Sequence, residues 1–321
     1  MRDHGGDLDR AKQVYGEGNW HDLSTGINAR PYPVERLPGH AWTTLPTRSD
    51  LATLEAAATQ QYATRGHCVA LGGAQAAIQL VPRLRRSGRA CVVGPTYNEH
   101  AAALRAQGWQ VTMVSDPEQA AGADLLTVVN PNNPDGRRWS PEALLALRAQ
   151  VGLFIVDESF ADTEAGLSVA PFVDEAETRM VVLRSFGKFF GLAGVRLGFA
   201  LTGSALAGQL RALAGPWAVS GPAIAIGTRA LADADWHMQT RERLRRDAQR
   251  LDALARRAGW GLVGGTPLFR TYVTPHAKAA QEHLARHHVW SRIFPYSETW
   301  LRLGLPGNSE GWAVLETALD A

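Results

Sequence analysis

From about residue 50 to 215 the chain alternates two patterns. Short continuous apolar runs occur at 67–71, 90–93, 110–114, 125–129, 153–156, 180–183 and 197–201. They are too short for helices and apolar on both faces, the pattern of strands covered on both sides in a mostly parallel sheet. Between them lie segments with helical spacing. Ser49 or Asp50 caps a predicted helix through 62, with Leu51, Leu54 and Ala58 on one face. Further helices are expected over 74–86, 97–107 and 141–150. This alternation predicts an α/β fold whose large domain, residues 49–215, is built on a mostly parallel seven-stranded sheet.

The flanks read differently. Residues 1–48 hold Gly5, Gly6, Gly16, Gly18, Gly26, Pro31, Pro33, Pro38 and Pro46 without sustained periodicity, so an extended N-terminal arm is expected. Residues 216–321 read as a small C-terminal α+β domain. It opens with a long helical stretch to about 258 and continues with strands near 260–263, 268–273, 289–294 and 299–303. The basic run at 241–247 could suggest nucleic acid, but Leu244, Leu251 and Leu254 recur at helical spacing, which makes the charges a solvated outer face.

Bulk composition narrows the function classes. The 321 residues are 45% apolar, enough for a large core. Basic and acidic residues nearly balance, 33 against 31, so no global field draws nucleic acid or a membrane surface. Cys68 and Cys91 show no metal or disulfide spacing, and no metal site is expected. No apolar run approaches the roughly 20 residues of a membrane span, so a soluble, cytoplasmic protein is expected.

Chemistry collects at the ends of the apolar runs. Ser185, Lys188 and Arg196 follow the 180–183 run, and Phe186, Phe189 and Phe190 beside the lysine would strip its water and favour a neutral, nucleophilic amine. Gly72-Gly73-Ala74-Gln75 turns a strand into a helix and leaves N–H groups free for a phosphate. It lacks the third glycine and the acid of a dinucleotide site. Asn130 ends one run and Asp157 the next, where open α/β sheets bind ligands. Pyridoxal 5′-phosphate needs a lysine for its aldehyde, an acid for its ring nitrogen, a donor for its phenolic oxygen, an aromatic ring face and a phosphate cup. Lys188, Asp157, Asn130, Tyr97, and Gly73-Ala74 with Ser185 and Arg196 supply these in turn.

With Asn-Pro-x-Asn-Pro-x-Gly at 130–136, Asp-Glu at 157–158, and Ser-x-x-Lys followed eight residues on by Arg at 185–196, the chain resembles the fold-type I pyridoxal-phosphate enzymes of aminotransferase class I and II. The resemblance covers nearly the whole chain. It implies Asn130 on the phenolic oxygen, Asp157 on the ring nitrogen, Lys188 as the Schiff-base lysine, Ser185 and Arg196 on the cofactor phosphate, and Arg302 on the substrate carboxylate. It also implies a homodimer with active sites at the subunit interface. Two positions depart from the family pattern. Phe160 stands where many relatives have a tyrosine, and Leu45 precedes Pro46 where relatives place a tyrosine that reaches the neighbouring cofactor.

Within the family, His4-Gly5-Gly6, the 23–28 stretch and Pro216-Trp217-Ala218-Val219-Ser220 are similar to the branch that handles phosphorylated amino substrates. That similarity makes His4 and Asn28 candidates for the substrate phosphate. The implied activity is decarboxylation of O-phospho-L-threonine to (R)-1-amino-2-propanol phosphate for cobalamin synthesis. The alternatives are transamination of a substrate such as histidinol phosphate and, more remotely, a non-catalytic ligand-binding protein of the same fold.

Overall fold

The computed structural model describes residues 4–320. Its strands are β1 (His21–Asp22), β2 (His67–Leu71), β3 (Arg89–Val93), β4 (Gln110–Val114), β5 (Leu125–Val129), β6 (Leu153–Asp157) and β7 (Met180–Ser185). They continue with β8 (Gly198–Thr202), β9 (Gly261–Thr266), β10 (Phe269–Val273), β11 (Val289–Trp290), β12 (Arg292–Phe294) and β13 (Ser297–Gly304). Two compact units divide them. One holds Tyr32–Asn133 and Arg138–Trp236; the other holds the chain up to Pro31, Pro134–Arg137, and His237 onward. Among the described residues no helix is long and apolar enough to cross a membrane.

The first unit is built on a seven-stranded sheet in the order β2-β8-β7-β6-β5-β3-β4. Its pairs are parallel except those that β8 makes with β2 and β7. The central strands β5, β6 and β7 are buried at every residue, which is why their sequences read as unbroken apolar runs. Leu125, Leu153, Ile155, Val181, Leu183 and Ala200 form the middle of the core, and Ile78, Leu104, Leu206 and Leu210 from covering helices close over it. Each such side chain contributes roughly 1.5–3 kcal/mol by leaving water. Every parallel strand ends on the same edge, so the residues just past β2, β3, β5, β6 and β7 gather there.

Helix boundaries follow from caps more than from apolar spacing. The Arg48–Gln61 helix is capped by Thr47, whose hydroxyl accepts from the Asp50 N–H at 3.1 Å while the Asp50 carboxylate accepts from the Thr47 N–H at 2.9 Å. Asp50 is thus the third helical residue of a reciprocal cap and not the cap itself. The Gly221–Ala232 helix packs on this helix within the first unit, so the structural division falls at Trp236/His237 and not at 215.

The second unit pairs β12-β13-β10-β9 as an antiparallel sheet, and β1 with β11 in a separate parallel pair. Residues expected as extended arm here contain a helix, Leu8–Tyr15, capped by Asp7. The eight residues contain no glycine or proline, and Leu8, Ala11 and Tyr15 share a face that packs with Ala285 and Trp290. Gly136 belongs to this unit: its φ is +69°, and a Cβ there would lie 2.3 Å from the Gly265 nitrogen, so no larger residue fits.

Candidate active site

The sheet edge of the first unit encloses a cavity of about 180 Å³ lined by Gly73, Ala74, Tyr97, Asp157, Ser185, Lys188 and Arg196. These expected residues, scattered over more than a hundred positions, meet because they lie at or just past the C-terminal ends of the parallel strands β2, β3, β6 and β7. Asn133, Gln75, Ser159 and Phe160 complete much of the wall.

Gly73 makes the turn from β2 into the Ala74–Leu80 helix with φ +86°, and a Cβ there would come 2.9 Å from Arg196 Nη2. The Gly73 N–H donates to the Leu71 carbonyl at 2.7 Å and the Ala76 N–H to the Gly73 carbonyl at 3.0 Å, so Ala74 and Gln75 carry the amides that open the helix. Arg196 is itself left-handed, φ +56°, with Nη1 donating to the Ala193 carbonyl at 2.9 Å. A non-glycine residue in that region costs about 1–2 kcal/mol. The backbone thereby spends stability to bring a guanidinium to a glycine turn, beside Ser185.

Lys188 lies on the short Phe186–Phe189 helix. The sequence suggested that the phenylalanines beside it wall the amine; none of the three lines the cavity. Phe186 stacks on Phe190 at 4.3 Å, and Phe190 stacks on Trp236 at 5.7 Å, an aromatic pile that anchors the helix from beneath. The aromatic ring that faces the amine is Phe160, whose centroid lies 5.7 Å from Lys188 Nζ.

Asp157 is buried at the end of β6. Its Oδ1 accepts from the Ser159 N–H at 2.9 Å and the Ser159 hydroxyl at 2.5 Å, and its Oδ2 meets His100 Nε2 at 2.7 Å. Burial pushes the carboxyl up, but the hydrogen bond and charge of His100, followed by the two Ser159 bonds, outweigh it and hold the group below its ordinary value. The result is a dry carboxylate that stays ionised near neutrality. Tyr97, three residues before His100, lines the cavity with its hydroxyl donating to Gln75 Oε1 at 3.2 Å.

The structure corrects the role expected of Asn130. Its amide donates to the Trp139 carbonyl at 3.0 Å and the Leu167 carbonyl at 3.3 Å, its oxygen accepts from the Trp139 N–H at 3.1 Å, and it does not line the cavity. The physical reason is strand parity. Val129 is in register with Asp157 and lines the cavity with it, so Asn130, one position on, faces the other side. Asn133, three residues later in the same motif, is the asparagine in the cavity wall. His100 and Ser159 were also missed. Both are polar residues within a few positions of a recognised site residue, at spacings a helix or a turn folds back.

In the second unit Arg302 is buried on β13. Nη2 donates to the Ser24 carbonyl at 2.7 Å, and the guanidinium lies over Phe269 at 5.1 Å. Burial, and then the charge of Arg292, push it down to about 10. Arg292 is its register partner across β12 and β13. Two cations at directly opposed positions are destabilising by themselves, an arrangement that suits a ligand with negative charge. Ser24 also ties in the arm, its hydroxyl accepting from the Gly6 N–H at 2.7 Å. The Asn28 side-chain oxygen accepts from Arg243 Nη2 at 2.8 Å and the Arg30 N–H at 3.1 Å. His4 is exposed at the start of the described residues.

This donor set meets the model of the aminotransferase class I and II family, which matches residues 34–318. The chain belongs to that family. It is 43% identical to the threonine-phosphate decarboxylase of Pseudomonas aeruginosa over 99% of this chain and 97% of that protein. Among solved structures it is similar to the L-threonine-O-3-phosphate decarboxylase of Porphyromonas gingivalis, with TM-score 0.75, 19% identity, and coverage of 93% of this chain and 98% of that one. It is also similar to the histidinol-phosphate aminotransferase of Sinorhizobium meliloti in complex with pyridoxal-5′-phosphate, with TM-score 0.79, 18% identity, and coverage of 97% and 93%. The fold is the fold-type I aminotransferase fold. The cavity residues fit pyridoxal phosphate: an ionised buried acid for a protonated ring nitrogen, an asparagine and a tyrosine, a lysine, and a glycine turn with serine and arginine for a phosphate.

His100 gives a direct test of the acid. Asp157 is depressed on folding, so it contributes stability that is complete above the ordinary carboxylate range near pH 4 and is lost as pH falls through its folded value. His100→Ala removes the largest lowering influence. Urea unfolding from about pH 7 to about pH 3 is expected to show a loss of about 2 kcal/mol at neutrality, with a shallower acid decline than in wild type, because less of the carboxyl's depression is left to lose. Superimposable acid declines would count against this account.

Proposed function

We propose that the chain is a pyridoxal-phosphate-dependent decarboxylase of O-phospho-L-threonine, releasing carbon dioxide and yielding (R)-1-amino-2-propanol phosphate for cobalamin synthesis. The observation that carries this reading is the 43% identity, over 99% of the chain, to a threonine-phosphate decarboxylase. Bound pyridoxal phosphate supplies an electron sink for the bonds at the substrate Cα. The chain's own residues do the rest. Asp157, held ionised by His100 and Ser159, keeps a proton on the ring nitrogen. Asn133, in place of Asn130, donates to the phenolic oxygen, and Tyr97 covers a ring face. The turn at Gly73 and Ala74, through the Ala74 amide, holds the cofactor phosphate with Ser185 and Arg196, the Gly73 N–H being spent on the Leu71 carbonyl at 2.7 Å. Lys188 carries the cofactor between turnovers and returns a proton to Cα.

The assignment gives Arg302, with Arg292 added, to the substrate's anionic groups, and His4 to its phosphate. Asn28 acts with Arg243 to hold the backbone that leads to these groups. Which bond at Cα breaks would depend on how the substrate's anionic groups are held: loss of the carboxylate would release carbon dioxide, and loss of the Cα proton would give transamination.

Incubation of the holoenzyme with O-phospho-L-threonine is expected to release carbon dioxide without stoichiometric pyridoxamine phosphate, and Lys188→Ala to abolish release. Stoichiometric pyridoxamine phosphate without carbon dioxide would instead identify an aminotransferase. Protein without a cofactor absorbance band that depends on Lys188 would leave only a non-catalytic role.

We further propose a cytoplasmic homodimer. Val34 and Trp42 are 48% and 67% exposed, and they line one groove with Leu37 and Ile226. Large apolar groups sharing an open groove favour coverage by a partner surface. Sedimentation is expected to give a dimer for wild type and a monomer for Trp42→Glu; a monomeric wild type would refute the assignment.

A further inference from the structure

Opposite the cavity stand Asn130 and Glu158, one position past the ends of β5 and β6, and Arg184, one position before the end of β7, each bonded into the segment after β6. Asn130 donates to the Leu167 carbonyl, and Glu158 accepts from the Ser168 hydroxyl and the Val169 N–H, each at 2.6 Å. Arg184 does more. Its Nη1 donates to Glu158 Oε2 at 2.7 Å and its Nη2 to Asp162 Oδ1 at 2.9 Å, while its guanidinium lies 4.3 Å over the Tyr62 ring. A single fork from the strand that carries Ser185 therefore grips both ends of the turn from Glu158 to Asp162.

The middle of that turn faces the cavity. Ser159 makes two bonds to Asp157, and Phe160 is the ring beside Lys188. Ala161 closes the turn on the Glu158 carbonyl at 3.0 Å. A buried guanidinium with two carboxylates adds little net stability over apolar packing of similar volume. What it supplies is geometry, because a planar fork fixes two acceptors relative to each other in a way a lysine cannot.

We propose that Arg184 is a positioning residue of the cofactor pocket: by holding both ends of the 158–162 turn it sets Ser159 on the Asp157 carboxylate and Phe160 beside Lys188. The proposal rests on the pyridoxal-phosphate reading of the cavity. Arg184 touches neither cofactor nor substrate; it acts through Ser159 and Phe160.

The test combines Arg184→Lys, Ser159→Ala and the double variant, reading cofactor affinity by titration of apoenzyme with pyridoxal phosphate and the pH midpoint of the bound cofactor's absorbance. Arg184→Lys is expected to weaken affinity roughly tenfold, as removal of supporting residues does elsewhere. It should also move the midpoint in the same direction as Ser159→Ala, and the double variant should move it less than the sum, because the two lie on one line of action. If Arg184→Lys does not fold, Asp162→Asn, which loosens one end of the turn, is read in the same way. Lower thermal stability with wild-type affinity and midpoint, or shifts that add fully, would overturn the inference and assign Arg184 to stability alone. Wild-type apoenzyme that fails to bind pyridoxal phosphate would overturn the cofactor reading, and this inference with it.

Discussion

A carboxylate buried beside a cavity is the constraint around which the first unit is arranged. Placing Asp157 at the end of a strand that is buried at every residue denies it water, and an uncompensated charge there would cost several kcal/mol. The structure answers with three hydrogen bonds, one from a helix after β3 and two from the turn after β6. Those bonds fix the carboxylate's state as well as its direction, because each favours the ionised form. Helix and turn are in turn fixed by their own packing, so the site's electrostatics are inherited from the fold.

Strand parity then sorts the residues at the sheet edge into two working layers. Val129 and Asp157 share the cavity side, and Ser185 reaches it from β7; Asn130, Glu158 and Arg184 take the other. The cavity layer meets the ligand, and the back layer holds the loop that follows β6. A motif such as Asp157-Glu158 is therefore two residues with two duties, one facing chemistry and one facing support. The same holds for Arg184-Ser185, and the pairing of Glu158 with Arg184 links the two motifs behind the cavity.

Much of this was legible in the sequence because the signals were local. The strands of the large sheet announced themselves as short, largely apolar runs, the edge strand β4 with Gln110 and Thr112 the least so, and Lys188, Asp157, Ser185, Arg196, Tyr97 and Gly73 stood out as polar or glycine residues at their ends. What escaped depended on which way a side chain turns. Asn130 and Asn133 are the same residue type in one motif, and only the carbonyls of Trp139 and Leu167, distant in sequence, decide which one is consumed. The phenylalanines around Lys188 were read as walls of the amine; a helical turn carries them to the far side, onto Trp236. The arm's helix was hidden because glycines on both sides of residues 8–15, and the prolines that follow from Pro31, outweighed the spacing within.

In the second unit two like charges are placed side by side. Arg292 and Arg302 face each other across β12 and β13, and Arg302 is dry enough for burial to weaken its hold on its proton. The proximity of two like charges is unfavourable by itself, and Tyr296 and Asp22 offset part of it at Arg302. Ser24 adds direction: its carbonyl takes one Arg302 nitrogen, and its hydroxyl takes the Gly6 N–H. The glycine-bearing arm and the buried arginine are thereby held through one residue, so a change in either is felt by the other. Gly5 sharpens the point, since a Cβ there would sit 2.4 Å from the same Ser24 carbonyl oxygen. The smallness of that glycine is what lets the arm close on the carbonyl without prising it from Arg302.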